Sequence, residues 1–208
     1  MLLSTAFFPP VSWFAAAATE GKVYLEACEN YQKQSYRNRC RIAAAGGVES
    51  LSVPVVHEGG TFKLPITEIK VDYSDSWIHK FCRAVDSAYE SSPFLEYYRD
   101  ELYAILASRP ETLWSLNLAI IQFFIKKTGL QTSIVPTEAF TPSGNSIYGE
   151  DLREAIHPKR PDTVLQRLQL EKPYFQVFAG KYGFAENLSV MDLLFNMGPE
   201  SLLYLTKV

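Results

Sequence analysis

The 208-residue sequence predicts an α/β protein, in which a mixed central sheet of short strands from the N-terminal half packs with about five helices. Up to residue 71 the apolar residues form short runs or alternate with polar ones, as they do in strands. From Ser76 they recur every three to four residues, as they do on one face of a helix. With 47% hydrophobic and 21% charged residues the composition is that of a globular protein. We expect a single domain over residues 1–208.

The N-terminal half begins with strand, turn and helix, an order common at the start of α/β domains. An apolar strand at residues 2–8 ends at Pro9-Pro10, and the alanine-rich residues 11–19 favour a helix. Turns are expected at Gly46-Gly47 and Gly59-Gly60. The further predicted strands are residues 22–32, 36–45, 50–56 and 66–71.

The second half is predicted to be mainly helical. A helix from Ser76 ends near Pro93, and two more cover residues 94–107 and 111–127, the last closed by Gly129. This last helix is apolar almost all round, which indicates a central position in the core. A short strand follows at residues 132–135.

Residues 140–173 are rich in proline and glycine and lack periodicity, so we expect a loop-rich excursion there. Beyond it, residues 174–181 favour a helix. Ser189 and Asp192 have the spacing of a capping box that would open a helix at residues 190–196. The pair Gly198-Pro199 would end that helix.

The net charge limits the classes of binding partner, and the cysteine content indicates the cellular compartment. A net charge of −3 and no long basic run argue against a nucleic-acid partner. Three scattered cysteines without a CxxC pair favour reduced thiols in the cytoplasm. The apolar N-terminus lacks a basic leader, and no apolar run reaches the ~20 residues that span a bilayer, so we expect no membrane span. No nucleotide-binding or nucleophile motif is present, so no cofactor is predicted.

The most unusual local feature is a series of arginines at a spacing of two. If residues 36–45 form a strand, Arg37, Arg39 and Arg41 leave the same face. A turn near residues 33–35 would place Glu29 opposite Arg39 and Tyr31 opposite Arg37. One glutamate cannot neutralise three arginines.

Two interpretations of this face remain open. The first is a solvated strand face with a weak ion pair. The second is an anion site, in which Arg37 and Arg41 bind a phosphate or carboxylate while Tyr31, Gln32 and Lys33 add polar contacts. The residues alone favour the first.

Histidine and asparagine supply the other candidate site residues. His79 lies in the first turn of a predicted helix, off its apolar face, and could act as a base, although such a residue is more often a surface or capping group. His57 and His157 have no partner at a metal-binding spacing, so no metal site is predicted. Asn117 lies in the most apolar helix and must find a buried partner or face a cleft.

Several of these segments, in their order, resemble the WbqC-like family over roughly residues 2–135. They are FFPPVSWF, YQKQSYRNRCRI, SLSVPV, ITEIKVD, DSWIHKFCRAVDSAYESSPF and LNLAIIQFF. The segment YFQVFAGKYGFAENLSVMDLLFNMGPES resembles one sub-branch of the family. Positions that match the family's pattern are Asn38, Arg39, Trp77, His79, Tyr89, Pro93 and Phe94. Phe7 and Phe8 depart from it, since a tyrosine often stands there.

The resemblance implies a role in bacterial surface-polysaccharide and O-antigen biosynthesis, and it shifts the balance toward an anion site at the arginines. We expect a transferase that moves an acyl or aminoacyl group to an amino sugar. Its ligand would be small and anionic, such as a nucleotide sugar or an activated acyl donor, and His79 would be the catalytic base. The expected substrate-binding residues are Tyr31, Gln32, Arg37, Asn38, Arg39, Arg41, Tyr89 and Asn117. The alternative is a non-catalytic binding or assembly protein that docks enzymes of the same pathway.

Overall fold

The computed structural model describes residues 1–56, 63–144 and 147–207, and it confirms the α/β class. His57 and the predicted turn at Gly59-Gly60 lie outside the described residues. The strands are β1 Leu2–Leu3, β2 Lys22–Leu25, β3 Arg39–Ala44, β4 Gly47–Ser52 and β5 Ser133–Pro136. The α-helices are α1 Val11–Ala18, α2 Trp77–Tyr89, α3 Leu95–Ala107, α4 Leu113–Thr128, α5 Val164–Leu168, α6 Ala179–Tyr182, α7 Val190–Met197 and α8 Leu202–Leu205.

The described strands form two sheets rather than one mixed sheet. β1, β2 and β5 are parallel in the order β1-β2-β5, and β3 and β4 form a separate antiparallel hairpin. On the other side of β1, Leu2 pairs with Asp151 from the loop-rich excursion. That pairing brings a distant loop to the edge of the parallel sheet.

β1 is shorter than the predicted strand at residues 2–8. Beyond Leu3 the chain turns inward, and Phe7 and Phe8 are fully buried. The rings of both contact Phe81, with centroid distances of 5.4 and 4.9 Å, and Phe8 also contacts Phe124. Successive side chains of a strand point to opposite faces, so two adjacent residues in a strand could not both pack on one aromatic cluster.

Other predicted strands differ for local reasons. β2 ends at Leu25, so the predicted strand at residues 22–32 continues as a loop. β4 begins at Gly47, whose φ of +113° suits glycine and closes the hairpin. The predicted strand at residues 66–71 opens with a 3-10 helix, Ile66–Glu68. Ile66 and Ile69 are both buried, and a spacing of three matches the period of that helix.

The three long helices lie where the sequence predicts them. α2 buries its apolar face, and α4 lies in the core as expected. A capping box of Thr112 and Ser115 opens α4, and Gly129 closes it at a φ of +74°. No helix formed by the described residues is long and apolar enough to cross a membrane.

The C-terminal segment completes the core. The residues of α7 from 190 to 196 are all buried, and backbone hydrogen bonds join Pro9 and Val11 to the start of this helix. Ser189 caps α7 by accepting from the Met191 N–H, but the carboxylate of Asp192 turns away to other partners, so the predicted capping box is incomplete.

Two shorter helices in the C-terminal part depart from expectation. The predicted helix at residues 174–181 is reduced to α6, because Tyr174 and Gln176 bond inward to Asp192. Within the loop-rich excursion at residues 140–173 the chain forms α5.

Candidate functional site

The carboxyl ends of the three parallel strands meet at one edge, the place where open α/β sheets bind ligands. Ser4 follows β1, Glu26 follows β2 and Thr137 follows β5. Glu26 is completely buried, and its Oε1 accepts a hydrogen bond of 2.7 Å from the Thr137 hydroxyl. Polar residues therefore lie at this edge, inside the protein.

A buried ion pair joins Glu29, in the loop after β2, to Arg37, which lies two positions before β3. The Arg37 guanidinium donates from Nε to Glu29 Oε1 at 2.9 Å and from Nη2 to Oε2 at 2.5 Å. Nη2 also donates to Ser4 Oγ at 2.8 Å. Burial raises the pKa of Glu29, and the positive charge of Arg37 opposes that rise. Arg37 and Glu29 are thus held as a two-hydrogen-bond pair.

A second buried arginine comes from the loop-rich excursion. Arg153 Nη1 donates to Glu26 Oε2 at 3.0 Å, and its Nε and Nη2 donate to the two oxygens of Asp151 at 2.9 and 2.6 Å. These hydrogen bonds to Asp151 raise the pKa of Arg153. Arg153 therefore ties the excursion to the carboxyl edge of the sheet.

A small cavity of about 10 Å³, with room for about one water-sized group, is lined by both arginines. Leu3 to Ala6 and Ile156 also line it. The hydroxyl oxygen of Thr5 is buried at this cavity and has no hydrogen-bond partner among the described residues. A buried hydroxyl without a partner is rare, and it fits a group that enters from outside.

A network of polar side chains at the surface is connected to Arg37. Gln32 is exposed; its Oε1 accepts from Arg37 Nη1 at 3.3 Å, and its Nε2 donates to Glu154 Oε1 at 3.3 Å. Glu154 in turn pairs with Arg160 at 2.6 Å, and Lys159 contacts Gln34. Residues 154–160 therefore contact the segment YQKQSYRNRCRI, Tyr31 to Ile42, through Gln32 and Gln34.

The predicted arrangement of the three arginines is partly wrong. Arg39 and Arg41 lie on β3, half-buried, with Cys40 on the opposite, buried face as expected. Arg37 precedes the strand and is buried, so it does not share their face. Glu29 pairs with Arg37 and not with Arg39, because the residues before β3 form a loop instead of a second strand.

Four of the predicted binding residues, Tyr31, Gln32, Asn38 and Asn117, lie around Arg37. Tyr31 is buried; its desolvation raises its pKa, and the nearby charges of Arg39 and Arg37 oppose this. Asn38 donates to the Val53 carbonyl. Asn117 reaches from α4 and donates to the Arg37 carbonyl at 2.8 Å, so it fixes the backbone that carries the guanidinium.

His79 and Tyr89 are not brought to this cavity. His79 is exposed on α2 and lines a separate groove with Tyr73, Cys82 and Arg109. Tyr89 is fully buried, with its ring 5.4 Å from that of Phe195. The structure therefore does not place either side chain in contact with the buried arginines.

Several polar residues of the site were not predicted from the sequence. Glu26 directly follows a buried strand, and a polar residue at the carboxyl end of a parallel strand is a sequence indication of a ligand site. Thr5 and Arg153 lie in irregular segments, where no periodicity indicates which way a side chain points. Among residues 1–56, 63–144 and 147–207, no group of three or more histidine, cysteine or acidic side chains is arranged to hold a metal ion.

The chain was compared with protein families, with curated proteins and with solved structures. The model of the WbqC-like protein family matches residues 5–157, a range that includes Thr5, Glu29, Arg37 and Arg153. An uncharacterised protein of Mycobacterium tuberculosis, Rv1507c, is 24% identical in an alignment 197 positions long that covers 84% of this chain and 83% of that protein. No solved structure matches the chain.

Proposed function

Since the chain belongs to the WbqC-like protein family, we propose that it is a cytoplasmic transferase of bacterial surface-polysaccharide, or O-antigen, biosynthesis. The reaction would transfer an acyl or aminoacyl group to an amino sugar. The ligand would be a small anionic acyl donor or nucleotide sugar. The observation that carries this proposal is the unpartnered hydroxyl of Thr5 in a cavity lined by two buried arginines.

The charge balance of the cavity favours a carbonyl oxygen over a phosphate. Two guanidinium groups, Arg37 and Arg153, face three carboxylates, Glu26, Glu29 and Asp151, which gives a formal charge of −1 when all are ionised. A phosphate with two negative charges would be repelled there. A carbonyl oxygen carries only partial charge and gains stability from preorganised donors as negative charge develops on it during acyl transfer.

Two exposed cations offer a place for the anionic part of the donor. Lys159 and Arg160 lie on the segment that contacts Gln32, the hydrogen-bond partner of Arg37, and Gln34. A diphosphate or similar anionic group of the donor would bind to these two cations. Exposed cations of this kind contribute a salt-dependent part of the affinity.

A second candidate function is a non-catalytic binding or assembly protein of the same pathway. The specific observation in its favour is that Arg37 and Arg153 already have carboxylate partners, so they are satisfied without a ligand. In that case the ion pairs stabilise the loops, and partners dock elsewhere. The two candidates differ in whether Thr5 contributes to ligand affinity.

The deciding experiment compares ligand-induced thermal stabilisation in the parent, Thr5→Val and Thr128→Val. Valine keeps the shape of threonine, and the Thr5 hydroxyl has no partner to lose, so we expect the unliganded Thr5→Val protein to be as stable as the parent. Acetyl-coenzyme A, as the acyl-donor probe, should stabilise the parent. Thr5→Val should weaken its binding about tenfold, or about 1.4 kcal/mol.

Thr128→Val is the matched control. Its buried hydroxyl donates to the Phe124 carbonyl at 2.7 Å in α4, so this variant should lower the melting temperature without changing the affinity for the probe. If acyl donors and nucleotide sugars stabilise the parent and Thr5→Val equally, Thr5 has no part in binding. If none of them binds the parent, the transferase proposal fails and the assembly function remains.

A further inference from the structure

A second and larger cavity lies in the C-terminal part of the chain. Its volume is about 70 Å³, compared with about 10 Å³ for the first cavity, so it has room for several water-sized groups. The first turn of α1 contributes Val11, and α5 contributes Leu165. The other lining residues are Asp162, residues 170–174, Phe184, Glu186, Asn187 and Tyr204. Most of these residues lie beyond position 157, outside the range matched by the family model.

One wall of this cavity is aromatic. The ring of Tyr174 contacts Phe184 at a centroid distance of 5.1 Å and Tyr204 at 5.7 Å, both edge to face. Tyr174 is fixed in this position because its hydroxyl donates to the buried carboxylate of Asp192 at 2.7 Å. Aromatic faces attract cations through their negative π-surfaces.

The polar lining of the cavity is mainly acidic. Asp162 is held rigidly: the Ser12 and Asn187 side chains donate to its Oδ2 at 2.6 and 2.8 Å, and the Val164 N–H donates to its Oδ1. Asn187 supports this arrangement from a left-handed backbone conformation, with φ of +51°. The cavity therefore has one carboxylate fixed in orientation beside its aromatic wall.

Two further carboxylates, Glu171 and Glu186, are exposed at the cavity. Neither forms an ion pair with another described residue. The opposing charge is Lys172, whose Nζ is directed to the Leu203 carbonyl at 3.5 Å. Three carboxylates and one ammonium group leave an excess of negative charge around an aromatic, partly enclosed space.

We propose that this cavity binds a small organic ammonium compound. The aromatic wall would contact the apolar or sugar-like body and the face of the cation, and the two glutamates would neutralise its charge. This site is distinct from the one proposed for acyl transfer and shares no residue with it. Either proposal can fail while the other holds.

Binding is tested by calorimetry with two charged probes and their neutral counterparts. Choline is paired with 3,3-dimethyl-1-butanol, which has the same shape without the charge, and glucosamine is paired with glucose. At least one charged probe should bind the full chain, with at least tenfold higher affinity than its neutral counterpart. Absence of binding by both charged probes, or equal binding of charged and neutral members of both pairs, would overturn the proposal.

Variants then locate the binding. Glu171→Gln combined with Glu186→Gln changes only exposed side chains, so the fold should be retained and the affinity for the charged probe should fall at least tenfold. The matched control combines Glu90→Gln with Glu138→Gln, two exposed glutamates that do not line this cavity, and it should bind as the parent does. If both double variants lose the same affinity, the effect is one of net charge and the proposed site is wrong.

Tyr204 provides a test of the aromatic contact. Tyr204→Phe keeps the ring and should retain the affinity, whereas Tyr204→Leu should weaken binding of the cation about fivefold or more, with the fold checked by circular dichroism. Equal affinity in both variants would remove the aromatic wall from the proposal.

Discussion

Asp192 shows how a single buried carboxylate makes stability depend on pH. It is 1% exposed, and its Oδ2 accepts from Tyr174 Oη at 2.7 Å and from Gln176 Nε2 at 2.9 Å. Burial raises its pKa from 3.8 to about 6, and these hydrogen bonds offset only part of that effect. The carboxylate must therefore be ionised at neutral pH inside the core, which costs stability.

The sign of the effect follows from proton linkage. Between pH 4 and pH 6 the folded protein keeps the proton on Asp192 while the unfolded chain has lost it, so the free energy of unfolding falls as the pH rises. Relative to Asp192→Asn, which cannot ionise, the parent should lose about 2.4 kcal/mol between pH 4 and pH 7. Urea denaturation of both proteins across this range measures the difference, and parallel pH profiles would contradict it.

At the same scale, the candidate site could be predicted only in part. The arginine-rich block directed attention to Arg37, and the apolar surroundings of Asn117 indicated a buried partner, which proves to be the Arg37 backbone. The pairing of Arg37 could not be derived, because it depends on loops whose path no local pattern specifies. Arg153 lies 127 positions from its partner Glu26 in the chain, and no sequence pattern indicates that the two side chains meet.

At the scale of elements, the helices were predictable and the strands were not. α2, α3 and α4 have long apolar faces and clear end signals such as Gly129. Their ends lie within about two residues of the prediction, except that α2 ends at Tyr89 instead of near Pro93. The strands were predicted too long, since short apolar runs such as the one containing Phe7 and Phe8 do not distinguish a strand from a buried loop.

The glycines that end two helices differ in what surrounds them, and this permits a paired prediction. Gly129 and Gly198 both have positive φ, at +74° and +54°. A Cβ on Gly129 would meet open space, whereas one on Gly198 would lie 2.6 Å from the ring of Phe94. Gly129→Ala should cost about 1 kcal/mol from backbone strain, and Gly198→Ala about 3 kcal/mol, since it adds a steric clash.

Chemical denaturation of the two variants measures these costs. Combining Gly198→Ala with Phe94→Ala should recover the part of the loss that comes from the clash, so that the two substitutions together cost less than the sum of their separate effects. Equal destabilisation by Gly129→Ala and Gly198→Ala would show that the Phe94 ring moves aside freely.

At the scale of the whole molecule, we propose that the chain folds as a single domain. α7 packs against α1, α3 and α4, and the backbone at Pro9 and Pro10 is bonded to the residues that open this helix. The first and last parts of the chain thus share one core. The family model ends at residue 157, but the packing does not divide there.

Truncation tests this proposal. A chain ending at residue 157 would lose α7 and expose the apolar surface that this helix buries, so we expect it to be unfolded or aggregated, while the full chain unfolds in one cooperative step. Circular dichroism and calorimetry distinguish the outcomes. A truncated chain with a sharp thermal transition of its own would indicate two domains.

The parallel sheet also affects how quickly the protein can fold. The β3–β4 hairpin and helices α2 to α4 join residues that are close in sequence, whereas Glu26 and Thr137, which meet beyond β2 and β5, are 111 positions apart. Closing so long a loop costs chain entropy before the distant contacts have formed. Contacts between residues far apart in sequence therefore slow folding. The carboxyl edge of the sheet, with its buried arginines, is therefore expected to assemble late, after most of the helical framework has formed.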